Sequence, residues 1–140
     1  SKRYYNKMNI MIEIQNLTKK KVPVSALKLL AERVLKKEKP RSMDVSVVIV
    51  SPQKMRKLNK AYRDKDKATN VLAFPGGKEA LGEIVLCPSV IAKDALEYKI
   101  SFKRAISWMF VHGLLHLLGY DHETSKNEKI MTQKEKKYLI

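Results

Sequence analysis

The chain has 140 residues, 44% of them apolar, which suffices for one core and excludes a largely disordered polypeptide. A single cysteine excludes an internal disulfide and any zinc finger built on two or more cysteines, and no apolar run approaches the roughly 18 residues of a membrane helix. Twenty-nine Lys and Arg against 14 Asp and Glu leave a net charge of +15, a field that draws polyanions, of which nucleic acid is the commonest in a cell. The opening segment SKRYYNKMNIMIEIQN lacks the apolar core of a signal peptide. The expectation is one domain over residues 1–140, cytoplasmic, with no membrane partner.

Taken in chain order, Tyr4 and Tyr5 beside Lys2 and Arg3 read as a frayed terminus rather than a base-stacking element. Ile10, Ile12 and Ile14 alternate with polar residues, which predicts a strand over Ile10–Leu17. Val24, Leu27, Leu30, Ala31, Val34 and Leu35 recur at helical spacing behind Pro23, and the charged turn KKEKPRS ends that helix. Val45–Val50 is a continuous apolar run, as in a strand covered on both faces. Ser51 and Pro52 cap the next helix, whose expected buried stripe is Met55, Leu58 and Tyr62.

The loop Asp64–Asn70 leads to a strand Val71–Phe74, stopped by Pro75, Gly76 and Gly77. A strand Gly82–Cys87 and a helix Ser89–Tyr98 follow. The helix Ser101–Leu118 has Ser101 as N-cap and Gly119 as its left-handed end. A lysine-rich amphipathic helix, Lys126–Leu139, closes the chain with Ile130, Met131 and Tyr138 as its apolar contacts. The order βαβαββααα argues an α+β fold: a small mixed four-stranded sheet packed with helices, with a zinc site at the end of a buried central helix.

All three histidines of the chain, His112, His116 and His122, lie within eleven residues. His112 and His116 are four apart, so their rings stack on one helix face. Gly119 lets the chain double back and bring His122 over that face. A lone histidine on an apolar face is usually a core residue, but three at HxxxHxxGxxH spacing match the metal frame of the metzincin proteases. Three imidazoles with no fourth protein ligand describe an open catalytic zinc site, one ion per chain. The protease frame has glutamate after its first histidine as general base, whereas this chain has Gly113. Peptide hydrolysis by that route therefore lacks its base. Gly113 instead leaves room for a substrate or a closely packed backbone.

The segment HGLLHLLGYDHE resembles the HGxLHLxGYDH signature of the YbeY family, bacterial endoribonucleases of ribosomal RNA maturation. The likeness extends to LNKAYRDKDKATNVLAFP (Leu58–Pro75) and LGEIVLC (Leu81–Cys87). The resemblance implies a zinc-dependent, single-strand-directed ribonuclease of ribosome assembly and quality control, acting at the 3′ end of small-subunit rRNA. It implies His112, His116 and His122 as zinc ligands and Arg63 as a functional residue, so Arg63 and His112 are the expected catalytic pair. Single-stranded RNA, rRNA and the ribosomal small subunit are the expected partners. Where the family has Thr-Asp-Val-Leu-Ser-Phe this chain has Thr69-Asn70-Val71-Leu72-Ala73-Phe74, lacking a carboxylate and a hydroxyl.

The other candidates carry two readings each. The Arg63 guanidinium either reaches a phosphate or pairs with Asp64 or Asp66 on the surface. Asp121 and Glu123 flank His122 as orienting partners, a base, or solvated charge. Lys54, Arg56, Lys57 and Lys60 form a phosphate-contacting or merely solvated face, and Cys87 is buried and inert. The rival functions are a non-catalytic RNA-binding assembly factor with structural zinc, and a metal-dependent hydrolase of another substrate.

Overall fold

The alternation of Ile10, Ile12 and Ile14 is realised in the computed structural model, which describes residues 2–5 and 9–139. The elements are β1 (Lys2–Tyr5), β2 (Met11–Asn16), α1 (Val24–Glu38), β3 (Asp44–Ile49), α2 (Pro52–Arg63), β4 (Val71–Pro75), β5 (Gly82–Leu86), α3 (Pro88–Tyr98), α4 (Phe102–Leu117) and α5 (Ser125–Tyr138). The sheet is mixed and runs β1-β2-β3-β5-β4. The β2–β3 and β3–β5 pairs are parallel, while β1 and β4 run antiparallel at the edges. The fold is α+β as expected, but the sheet has five strands, not four.

The added strand is β1, and it also corrects the reading of Tyr4 and Tyr5 as frayed. Tyr4 pairs with Ile12 and packs half-buried on the core, with the Lys28 ammonium 4.2 Å from its ring centroid. Arg3 pairs with Glu13 at 2.9 Å. Four residues with charged neighbours show too little alternation to announce a strand; the edge of β2 supplies the hydrogen bonds that make one. Residues 6–8 of that opening segment lie outside the described residues.

Period-two alternation splits the central strands between two cores. Val45, Val47 and Ile49 of β3 and Ile84 and Leu86 of β5 face α1 and α4. Val50, Val85, Cys87 and Leu72 of β4 face the opposite way, onto Met55 and Leu58 of α2. Cys87 is fully buried there, as expected. Proline at Pro75 is tolerated because β4 is an edge strand.

Helix α4 is the hub, touching α1, α3, α5, β4 and β5. Ser101 caps its first turn by accepting from the Arg104 N–H, and Ser51 does the same for α2 through Lys54. Its other end closes as the left-handed turn foreseen at Gly119 (φ 98°): the Gly119 N–H reaches the His116 carbonyl and the Tyr120 N–H that of Leu115. On α5 the buried residues are Met131, Glu135 and Tyr138. Ile130, expected in that stripe, is exposed.

Candidate metal centre

Helical spacing puts His112 and His116 one turn apart on α4, with their Nε2 atoms 3.2 Å from each other. The turn after Gly119 returns the chain, and His122 stacks at 18° on the His112 ring, centroids 5.6 Å apart. The ligating nitrogens of the three rings lie within 4.8 Å of one another. Among the described residues they form the one cluster of three His, Cys, Asp or Glu that close. Two nitrogens in a tetrahedral zinc shell with Zn–N bonds of about 2.05 Å sit about 3.3 Å apart, and the helical pair already has that separation. The donor set thus fits a divalent ion.

The loop that carries His122 is held from several sides. Asp121 accepts from the Glu123 N–H at 3.1 Å and from Asn127 Nδ2 at 3.0 Å, so it shapes the turn. Glu123 is exposed. The Tyr120 hydroxyl donates to Glu38 at 2.6 Å, and Glu38 also accepts from Lys134 and from the Tyr138 hydroxyl. One carboxylate thereby ties the end of α1 to α5 and to the histidine loop.

A partner of His112 lies outside the motif. Glu135 of α5 meets His112 Nδ1 at 2.7 Å through Oε2, while Oε1 accepts from the Trp108 indole N–H at 2.9 Å. Burial raises the Glu135 carboxyl, but the hydrogen bonds from His112 and Trp108 outweigh it and hold the group below its ordinary range. An ionised carboxylate only accepts, so His112 carries its proton on Nδ1 and turns the Nε2 lone pair to the other rings. Burial, then the neighbouring His112 and His122, push the His116 imidazole below its ordinary value and favour the neutral, ligating form.

The three rings open on a cavity of about 530 Å³ whose walls include Arg63, Tyr62, Asn70, Phe74 and Gly113. Arg63 and the histidines are therefore brought together. Asp66 is taken by Arg56, through contacts of 2.6 and 3.1 Å. No ion pair of Arg63 occurs among the described residues. Tyr62, expected in the buried stripe of α2, is 67% exposed, because that helix buries only Met55 and Asn59. Lys54, Arg56, Lys57 and Lys60 are all exposed.

Gly113 borders the cavity and is also closely packed from the sheet side. A Cβ built there would lie 3.0 Å from Ile84 Cγ2 of β5. Asn70, where the family has aspartate, donates to Asp94 of α3 at 3.0 Å, a bond an ionised aspartate is unable to make. Glu135 and Trp108 escaped the sequence reading. The one available signal was a glutamate set between Met131 and Tyr138, at i+4 and i+7 spacing on the buried face of α5.

A family model described as Endoribonuclease YbeY matches residues 13–140. The chain is 40% identical over 115 residues to the Endoribonuclease YbeY of Thermotoga maritima, covering 81% of this chain and 76% of that protein. It is 37% identical over 141 residues to the Endoribonuclease YbeY of Buchnera aphidicola subsp. Acyrthosiphon pisum, covering 94% and 90%. A solution structure from Thermotoga maritima superposes with a TM-score of 0.65 at 35% identity, over 92% of this chain and 87% of the other. Sequence, fold and the histidine frame agree, and the chain belongs to the YbeY family.

Proposed function

We propose that this chain is a zinc-dependent endoribonuclease that cuts single-stranded RNA and works in rRNA processing, at the 3′ end of small-subunit rRNA, and in ribosome quality control. The observation that carries the reading is the convergence of three imidazoles in an open cavity that Arg63 shares. Membership of a family whose curated members are named endoribonucleases supports the reaction class. His112, His116 and His122 would hold the ion, which when bound supplies Lewis-acid polarisation of a phosphoryl oxygen. Glu135 holds the His112 proton on Nδ1, so the ring keeps one orientation. Arg63 binds the scissile phosphate and meets the charge that grows on it in the transition state. The excess of positive charge draws the RNA, and the ribosomal small subunit is the proposed place of work. Residues 1–140 are proposed to act as one domain in the cytoplasm.

The open cavity favours catalysis over a structural ion, because structural zinc sites are closed by four protein ligands. The test is elemental analysis and cleavage of a labelled single-stranded RNA on one sample, before and after a chelator. About one zinc per chain, with cleavage lost to chelator and restored by zinc, is expected. Metal-loaded protein that binds the RNA and leaves it intact would make the chain an assembly factor instead.

A further inference from the structure

Tyr62 is one of three strongly exposed tyrosines, and it stands beside Arg63 at the histidine cavity. In the last turn of α2 it is 67% exposed, yet its ring is held: it meets the Phe74 ring edge-on, centroids 5.0 Å apart and planes at 62°. Phe74 is half-buried on the smaller core, so it fixes Tyr62 to the sheet. The two rings line the histidine cavity and also a second cavity of about 460 Å³ over β4 and β5, which makes them the wall common to both. Each cavity is large enough for a nucleotide unit.

The charges on the two sides differ. Arg63, next in sequence to Tyr62, lines the histidine side, and Lys57 and Lys60 are exposed on the same helix. The second cavity has Glu83 and Ser46 on its wall and no Lys or Arg. A phosphate belongs on the first side and is repelled from the second. A base, which carries hydrogen-bond donors at its edge and no charge, suits the second.

We propose that Tyr62, braced by Phe74, is a stacking platform for one nucleobase of a single-stranded RNA, seated in the cavity beside Glu83 while the adjoining phosphate lies with Arg63. The proposal rests on the RNA reading above and adds to it the position and the chemistry of a base subsite. Stacking on an aromatic ring is indifferent to which base is present, since every base has a π-face.

The experiment compares wild type, Tyr62→Phe, Tyr62→Ala and Phe74→Leu as metal-loaded full chains, by fluorescence anisotropy. The probes are a short single-stranded oligoribonucleotide with phosphorothioate links that resist cleavage, and the same ribose-phosphorothioate chain without bases. Tyr62→Ala should weaken binding of the base-bearing strand about tenfold or more and leave the abasic strand unchanged. Tyr62→Phe should bind as wild type, and Phe74→Leu should fall between the two. Because Tyr62 is exposed, thermal midpoints of its variants should match wild type. An equal loss on both strands overturns the proposal, since the residue then acts on the backbone or on the fold. Unchanged affinity of Tyr62→Ala, with salt-sensitive wild-type binding, overturns the subsite and leaves the RNA reading intact. Failure of wild-type protein to bind either strand overturns both.

Discussion

The proton on His112 Nδ1 points at a carboxylate that Trp108 holds from its other side, and the consequence is measurable apart from turnover. Glu135→Ala should lower zinc affinity about 10- to 100-fold in competition with a chelator, because the ring loses its fixed orientation. Glu135→Gln keeps an acceptor for the Nδ1 proton and should lose less. Trp108 is the chain's only tryptophan, so its emission reports the change directly. Affinity equal to wild type in both variants would leave Glu135 a packing residue only. Arg63 offers the complementary experiment. His112→Ala should abolish both zinc retention and cleavage, whereas Arg63→Ala should keep metal and fold while lowering kcat more than binding. An arginine that served only as a surface partner would change the rate not at all, and stability by under about 1 kcal/mol. Single-turnover cleavage with zinc content measured on the same samples separates the two.

The helices show why some of this was legible and some was not. The ligand spacing lies within one helix and the turn that ends it, so HxxxHxxGxxH could be read directly, and Ser51 and Ser101 cap their helices for equally local reasons. Glu135 reaches His112 only because α5 packs on α4, 23 residues away, and Tyr62 is exposed only because α2 lies on the thinner face of the sheet. β1 depends on β2 for every ladder bond. Gly113 belongs to the same class: the sequence leaves open whether it gives room to a substrate or to a close neighbour, and the fold places it on the cavity wall with Ile84 of β5 against it. Gly113→Glu, which would restore the metzincin residue, should therefore destabilise the protein by about 1–3 kcal/mol through overpacking on Ile84, and should create no peptidase. A denaturation midpoint equal to wild type would contradict the close packing. Glu38 makes a second prediction about helix docking. Burial raises its carboxyl, but hydrogen bonds from Tyr120, Tyr138 and Lys134 outweigh it and leave the folded pKa below the ordinary value. The unfolded chain then takes up the proton first as pH falls. The stability contributed by the carboxylate is complete above about pH 4.3 and is lost as pH drops through the folded value. Glu38→Gln should melt below wild type at neutral pH, and the gap between the two should close in acid. A gap constant with pH would show that ionisation of Glu38 is not what ties α1 to α5.

Across the molecule, four carboxylates are taken by specific partners, Glu13 by Arg3 and Asp66 by Arg56 at the surface, Glu38 by Lys134 and Glu135 by His112 in more buried places. Lys and Arg number 29 against 14 Asp and Glu, too few acids for ion-pair networks to consume the cations, so the net charge of +15 acts outward. Binding of single-stranded RNA should accordingly be electrostatic. The logarithm of the association constant should fall linearly with the logarithm of salt concentration, by about 0.7 for each phosphate engaged. The location of the charge makes a sharper statement than its total. Lys57 and Lys60 sit on α2 in the turns leading to Arg63 and the histidine cavity, and removing either should reduce the slope by about 0.7. Arg56 stands on the same helix but is held by Asp66 in two contacts, so Arg56→Ala should change the slope less. Lys136 and Lys137 on α5 carry equal charge without bordering that cavity, and replacing both should weaken binding without altering the slope contributed by α2. Salt titrations of these variants against one oligoribonucleotide read all of this from a single kind of measurement. Equal slope changes for α2 and α5 variants would mean that RNA is held by diffuse charge over the whole surface, and a flat titration for wild type would remove nucleic acid as the ligand altogether.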